Sequence, residues 1–326
     1  MKFRGYLVAF AGICAWSSLI HADTARAAGP NLLSSSALVM DARSGEPIFE
    51  KNARTVTPIA SITKLMTAVV VLDAQQSLDE TLTITIDDLD FLKGSRSRLS
   101  IGTELPRREM LRLALMSSEN RAANALGRYY PGGLDAAVKA MNAKARALGM
   151  QHTRFADPTG LSPENVSTAQ DLVRLVVAAN DYPLIREFST QPASEVAIEP
   201  TGRVLQFGNS NALVKSEGWQ IMLQKTGFIR EAGRCVVMLA QIASRPVVLV
   251  LLDSVGRYGR IGDAQRIRTW METGEVLPLP PPEPVRLASG KSRGKVVKAS
   301  LKRVDKRVAG AKASPKRGQA KSIRRR

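Results

Sequence analysis

Apolar residues run almost unbroken over 37–41, lapse through the polar tetrad Ala42-Arg-Ser-Gly45 and resume over 46–50. That rhythm predicts a strand, a tight turn and a return strand. Next, Ile62, Leu65, Met66, Val69, Val70 and Leu72 recur at helical spacing, with Pro58 just upstream, where a missing N–H does no harm. The spacing predicts a buried helix over 60–75. A second helix-rich region, 108–126, loses its apolar pattern at Met116-Ser-Ser-Glu-Asn120. A third helix is expected over 134–148, ended by Gly149. The stretch 152–168, with Asp157-Pro-Thr-Gly160 and Ser162-Pro-Glu-Asn165, is expected to be a long loop. Residues 168–180 turn helical again, with Thr168 as the N-cap. After Trp219 the pattern changes to three strands, 219–225, 234–242 and 247–252, joined by short and therefore antiparallel connections, and a helix over 263–272 closes the run. Strands at both ends with helices between them predict an α+β fold: one antiparallel β-sheet flanked by helices, with a helical half beside it and the active site at the junction.

Composition changes the picture mainly at the two ends. Residues 1–27 combine Lys2 and Arg4 with the apolar run 6–20 and the small residues of Ala25-Arg-Ala27, which is the pattern of a cleaved secretory signal. The run is shorter than the ~20 apolar residues a membrane span needs. Export to the periplasm follows as the expectation. Removal of this leader takes Cys14 with it and leaves Cys235 alone, so neither an intramolecular disulfide nor a cysteine-based metal site is expected. At the other end, residues 285–326 carry 16 Lys or Arg against the single acid Asp305. The net charge of +18 therefore describes a tail, and residues 28–284 are close to neutral. The proline-rich stretch 277–284 reads as a stiff linker. The expected organisation is a signal peptide at 1–27, a catalytic domain at 28–276, the linker at 277–284 and a disordered basic tail at 285–326.

Three short motifs carry the chemistry: Ser61-Ile-Thr-Lys64, Ser118-Glu-Asn120 and Lys225-Thr-Gly227. Each is weak alone; Ser292-Arg-Gly-Lys295 in the tail also fits the first pattern, by chance. Their order and settings, at a helix start, between helices and at a strand end, make the conjunction specific. The chain has only two histidines, His21 in the leader and His152. A serine nucleophile must therefore find its base elsewhere, and Lys64 stands one helical turn from Ser61. Lysine becomes a base when burial or a cationic neighbour depresses its pKa, and Lys225 is the expected neighbour. Ser118 is placed to relay a proton to the leaving amine, and Asn120 to orient Lys64 and the substrate amide. The expected chemistry is acyl transfer by a Ser–Lys pair, with no cofactor and no metal.

This motif set resembles that of the penicillin-binding proteins and class A β-lactamases. Pro58-Ile-Ala-Ser-Ile-Thr-Lys64, Met116-Ser-Ser-Glu-Asn-Arg-Ala-Ala123, Tyr130-Pro-Gly-Gly133, Met141-Asn-Ala-Lys144 and Gln224-Lys-Thr-Gly-Phe228 extend the resemblance to the low-molecular-mass penicillin-binding proteins, nearest to their D-alanyl-D-alanine endopeptidases, over roughly residues 30–280. The resemblance implies that Ser61 forms an acyl-enzyme on peptidoglycan muropeptides. It also implies an oxyanion held by the backbone N–H groups of Ser61 and Phe228, and a terminal carboxylate bound by Lys225 and Thr226 beside Gly227. β-Lactams are implied as inhibitors. Four residues after Glu164 stands Thr168 and not asparagine, so the deacylating glutamate of class A β-lactamases has no counterpart and slow release of bound penicillin is expected. A D-alanyl-D-alanine carboxypeptidase is the alternative enzyme, and a non-catalytic β-lactam sensor the alternative of another class. Arg257 and Arg260 are read as solvated surface charges, with carboxylate recognition as the second reading. The tail is expected to bind an anionic envelope polymer, or a membrane surface through a weak cationic helix. Nucleic acid is not expected, because the body is near neutral and no aromatic residue interleaves the basic run.

Overall fold

The computed structural model describes residues 29–198 and 201–281. The signal at 1–27, the last three residues of the linker at 277–284 and the tail at 285–326 lie outside the described residues. In chain order the strands are β1 (Ser34–Asp41), β2 (Pro47–Lys51), β3 (Thr57–Pro58), β4 (Thr81–Thr83), β5 (Glu104–Pro106), β6 (Val166–Ser167), β7 (Ala193–Ile198), β8 (Arg203–Gly208), β9 (Gln220–Ile229), β10 (Gly233–Ile242) and β11 (Arg245–Ser254). The helices are α1 (Thr63–Asp73), α2 (Arg107–Met116), α3 (Asn120–Arg128), α4 (Gly133–Ala147), α5 (Ala169–Asn180), α6 (Pro183–Thr190) and α7 (Gly259–Thr273).

A five-stranded sheet in the order β2-β1-β11-β10-β9 is antiparallel throughout. Its central strands are buried on both faces, which is why they read as unbroken apolar runs. Val248, Val250 and Leu252 of β11 join Val237 and Leu239 of β10 on one face, against α5 and the helical half. Val247, Leu249 and Leu251 join Val236 and Met238 on the other, against Ala264 and Ile267 of α7. One sheet thus divides two cores by the two-residue period of its strands.

The helical half is built around α1, in which every residue from Thr63 to Val71 is buried. Each fully buried Val, Leu or Met there is worth roughly 1.5–3 kcal/mol of transfer free energy. Helices α2, α3, α4, α5 and α6 pack around it, directly or through one another. Thr168 caps α5, its Oγ1 accepting from the Asp171 N–H at 3.0 Å. Asp263 near the start of α7 ties the two chain ends of the body together, accepting from Leu33 N (2.9 Å), Ser34 N (2.7 Å) and Ser34 Oγ (2.5 Å).

Four details depart from the sequence reading. The three motif residues Lys225, Thr226 and Gly227 lie inside β9, which continues to Ile229, and do not end it. Ser61 sits in a single 3-10 turn, Ala60–Ile62, that leads into α1, not in the α-helix itself. Besides the main sheet there are three two-stranded pairs, β3-β6, β4-β5 and β7-β8. Helix α6, which starts with Pro183 in its first turn, and the β7-β8 hairpin fill the stretch between α5 and β9 that carried no sequence assignment.

Candidate active site

The edge strand β9 and the turn bearing Ser61 press together at the junction of sheet and helices. A Cβ on Gly227 would stand 2.9 Å from the Ile59 carbonyl oxygen and 3.1 Å from Ser61 N, so the approach admits only glycine. From the other side Gly160, at φ +78°, backs onto the Ala60 carbonyl, where a Cβ has no room. Two glycines from distant segments thus clamp one turn. Ala60 and Ser118 both hold left-handed backbone, at φ 48° and 62°. Such a conformation in non-glycine residues persists only where the surroundings impose it.

Lys64 has no solvent exposure. Its Nζ lies 2.8 Å from Ser61 Oγ, 2.8 Å from Asn120 Oδ1 and 2.7 Å from the Thr159 carbonyl. Burial pushes its pKa down from 10.5 to about 7, while the carboxylates of Asp157, Glu119 and Asp90 hold it up. Lys225 is also fully buried. Its Nζ donates to Ser118 Oγ at 2.9 Å and to the Thr226 carbonyl at 2.8 Å. Burial lowers its pKa well below 10.5, and the nearby Lys64 and Arg260 lower it further. Of the two causes expected from the sequence, burial is the one that lowers Lys64; the expected contribution of Lys225 is not among its causes.

The structure brings together Ser61, Lys64, Ser118, Asn120, Lys225, Thr226, Gly227 and Phe228. Ser61, Ser118, Asn120, Thr226, Gly227 and Phe228 line one cleft of about 690 Å³, and the two lysines stand behind their serines. His152 is exposed and does not line this cleft, so no histidine serves it among the described residues. Glu164 is exposed and pairs with Arg154 at 3.3 Å, away from Ser61.

Several contributors escaped the sequence reading or stood second in it. Arg260, for which carboxylate recognition was the second reading, is not a solvated charge: it is partly buried, lines the cleft and donates to the Gly227 carbonyl at 2.9 Å. Arg257 is exposed, as expected. Asp157 folds the 157–162 loop by accepting from Thr159 N (2.6 Å), Gly160 N (2.7 Å), Ser162 N (2.9 Å) and Asn165 Nδ2 (2.5 Å). That loop delivers the Thr159 carbonyl to Lys64. Ser210 accepts from Thr226 Oγ1 at 2.7 Å and donates its N–H to the Met116 carbonyl at 2.9 Å, linking β9 to the Ser118 segment. Asn120 Nδ2 donates to Ser95 Oγ at 2.9 Å. Only the aspartate-proline-glycine spelling of the 157–160 turn carried a signal for any of these.

A serine hydroxyl on a buried lysine, a second serine on a second lysine and an open sheet edge alongside, with no histidine in the cleft among the described residues, define a serine acyl-transfer enzyme. Residues 23–256 match the peptidase family described as D-alanyl-D-alanine carboxypeptidase. The chain is 53% identical over 249 residues to a D-alanyl-D-alanine endopeptidase of Pseudomonas aeruginosa, spanning 76% of this chain and 80% of that one. It is 49% identical over 254 residues to a D-alanyl-D-alanine endopeptidase of Escherichia coli, spanning 78% and 82%. Among solved structures, the Streptomyces K15 DD-transpeptidase matches with a TM-score of 0.69 at 27% identity, over 74% of this chain and 98% of that chain. The chain belongs to this family of serine DD-peptidases, the low-molecular-mass penicillin-binding proteins.

Proposed function

We propose that the chain is a D-alanyl-D-alanine endopeptidase of peptidoglycan that opens D-alanyl cross-links through a Ser61 acyl-enzyme and is inhibited by β-lactams. The observation that carries the chemistry is the partner set of Lys64. Asn120 Oδ1 and the Thr159 carbonyl can only accept hydrogen bonds, so a neutral Lys64 amine spends its two N–H groups on them. Its lone pair is then left for the Ser61 hydroxyl at 2.8 Å, the proton it must take. Ser61 Oγ attacks the D-alanyl carbonyl, and the oxyanion forms between the N–H groups of Ser61 and Phe228, each such donor contributing roughly 3–4 kcal/mol. Ser118 relays the proton that Lys64 has taken to the leaving amine, restoring the neutral Lys64, and water then hydrolyses the acyl-enzyme, its proton returning to Ser61 Oγ. The substrate lies along the free edge of β9 as an added strand, its carboxylate near Lys225 and Thr226.

The endopeptidase reading, over carboxypeptidase, rests on likeness to relatives of that name at about half identity over four-fifths of their length. Mass spectrometry of muropeptides after incubation with the protein tests it. Cross-linked dimers resolved to monomers support it; removal of only the terminal D-alanine from pentapeptides would make the protein a carboxypeptidase. Penicillin acylation with neither product would favour a sensor.

The further reading is of a chain exported through a cleaved leader to the periplasm. There residues 285–326 hold it to an anionic envelope polymer or membrane surface. Retention on anionic vesicles or wall fragments that falls with rising salt, and that a variant ending at Pro284 lacks, is the expected result.

A further inference from the structure

The cleft continues past Ser61 to a rim that the chemistry above leaves unused. Lys93 Nζ and Glu231 Oε1 meet there at 2.6 Å, and both residues line the cleft. They come from segments 138 residues apart. The backbone under Lys93 is fixed, because Asp90 accepts from Leu92 N (2.9 Å), Lys93 N (2.8 Å) and Ser95 N (2.8 Å). Ser95 is in turn the residue that Asn120 holds. Glu231 sits in the tight turn between β9 and β10, closed by the Ala232 N–H on the Ile229 carbonyl at 3.3 Å. Leu92 and Phe228 line the same cleft, and Phe228 is steadied by the Arg234 guanidinium 4.7 Å over its ring. Although apolar, they are 69% and 55% exposed.

The direction of the substrate connects this rim to the reaction. With the carboxylate at Lys225 and Thr226 and the oxyanion at Phe228, the peptide runs antiparallel to β9. Residues on the amino side of the scissile bond then lie along Phe228 and Ile229, where β9 ends, and head for the turn that bears Glu231. The side chain just upstream of the acylated D-alanine therefore reaches the rim. In a wall cross-linked through diaminopimelate, that side chain is a short polymethylene chain whose last carbon bears both an ammonium and a carboxylate.

We propose that Lys93 and Glu231 form a subsite for this zwitterionic end, Glu231 taking the ammonium and Lys93 the carboxylate, with Leu92 and Phe228 against the methylenes. The proposal rests on the DD-peptidase reading above. A ligand with both charges on one carbon replaces the Lys93–Glu231 pair without stranding either partner, whereas a ligand with one charge leaves the opposite residue unpaired. An ion pair this exposed opens at little cost.

The test is cleavage of three cross-linked dimers by the full chain. The donor stem carries native diaminopimelate, its side-chain carboxamide or its side-chain N-acetyl derivative. The native dimer is expected to be cleaved with kcat/KM about tenfold higher than either analogue, the scale of one charge-assisted hydrogen bond. Lys93→Met should erase only the discrimination against the carboxamide, and Glu231→Gln only that against the N-acetyl dimer. In both variants the loss on the native dimer should exceed any loss in benzylpenicillin acylation. Equal cleavage of all three dimers by the unaltered chain overturns the subsite. So does a variant that slows penicillin as much as the native dimer, since the rim pair would then be a structural strap. If the unaltered chain cleaves no dimer at all, the endopeptidase reading itself fails and takes the subsite with it.

Discussion

A lysine amine buried between two obligate acceptors has one direction left for its lone pair, and Ser61 occupies it. The residue that does this work must be able to lose a proton inside the protein. Arginine cannot, so Lys64→Arg fixes a positive charge there and forfeits the base. Its benzylpenicillin acylation is expected to fall by about a hundredfold or more, the scale of general-base catalysis, as read by intact-mass kinetics. The turn holding Ser61 is as demanding as its chemistry. Gly160→Ala places a Cβ against the Ala60 carbonyl in left-handed backbone, and a loss of about 1–3 kcal/mol in urea unfolding should accompany slower acylation. That the motif residues gather at one cleft was legible, because their order and settings along the chain are specific. Arg260 was not: nothing in Arg257-Tyr-Gly-Arg260 distinguishes an arginine facing water from one turned onto the Gly227 carbonyl. The same holds for Ser210 and Ser95, ordinary loop serines made functional by what the fold brings beside them.

Elements were legible in proportion to their burial. Helix α1 and strands β10 and β11 declared themselves through long apolar runs, because they are enclosed on every side. The β7-β8 hairpin buries only Val196, Ile198, Leu205 and Phe207, one face of two short strands, and its alternation is too brief to stand out from loop. Strand β9 was read as ending four residues early because a lysine, a threonine and a glycine look like a strand's end. Here the lysine and threonine are buried, satisfied by Ser118, Ser210 and the Thr226 carbonyl. At this scale the Asp263 tie carries a prediction. The buried carboxylate joins the start of β1 to α7 and pairs with Arg266 at 2.5 Å. Asp263→Ala strands that guanidinium and two N–H groups, at a cost of about 3–5 kcal/mol in equilibrium unfolding. The Ser61 cluster touches none of these atoms, so penicillin acylation at a temperature where the variant is folded should stay within about twofold.

For the whole molecule, sheet and helical half meet along a line where each supplies what the other lacks. The helical half brings Ser61, Lys64 and Ser118, the proposed nucleophile, base and proton relay; β9 brings Lys225, the Phe228 amide and a free edge, where the proposed peptide substrate would lie. The same arrangement is expected to leave acyl release unassisted: among the described residues Glu164 faces Arg154, and Glu231, the carboxylate among the cleft-lining residues, is paired with Lys93 at the rim. The penicilloyl adduct is therefore expected to outlast repeated buffer exchange, with intact protein mass reporting its persistence. The account turns on a neutral Lys64 as the base for Ser61, and the pH dependence of benzylpenicillin acylation, with the adduct mapped by peptide mass spectrometry, tests it most directly. Burial holds Lys64 at about 7, and only the neutral amine accepts a proton. The acylation rate should thus rise through about pH 7 to a plateau, with the adduct on Ser61 alone. A rate that is flat or falls across that range, or an adduct on another residue, would contradict the account.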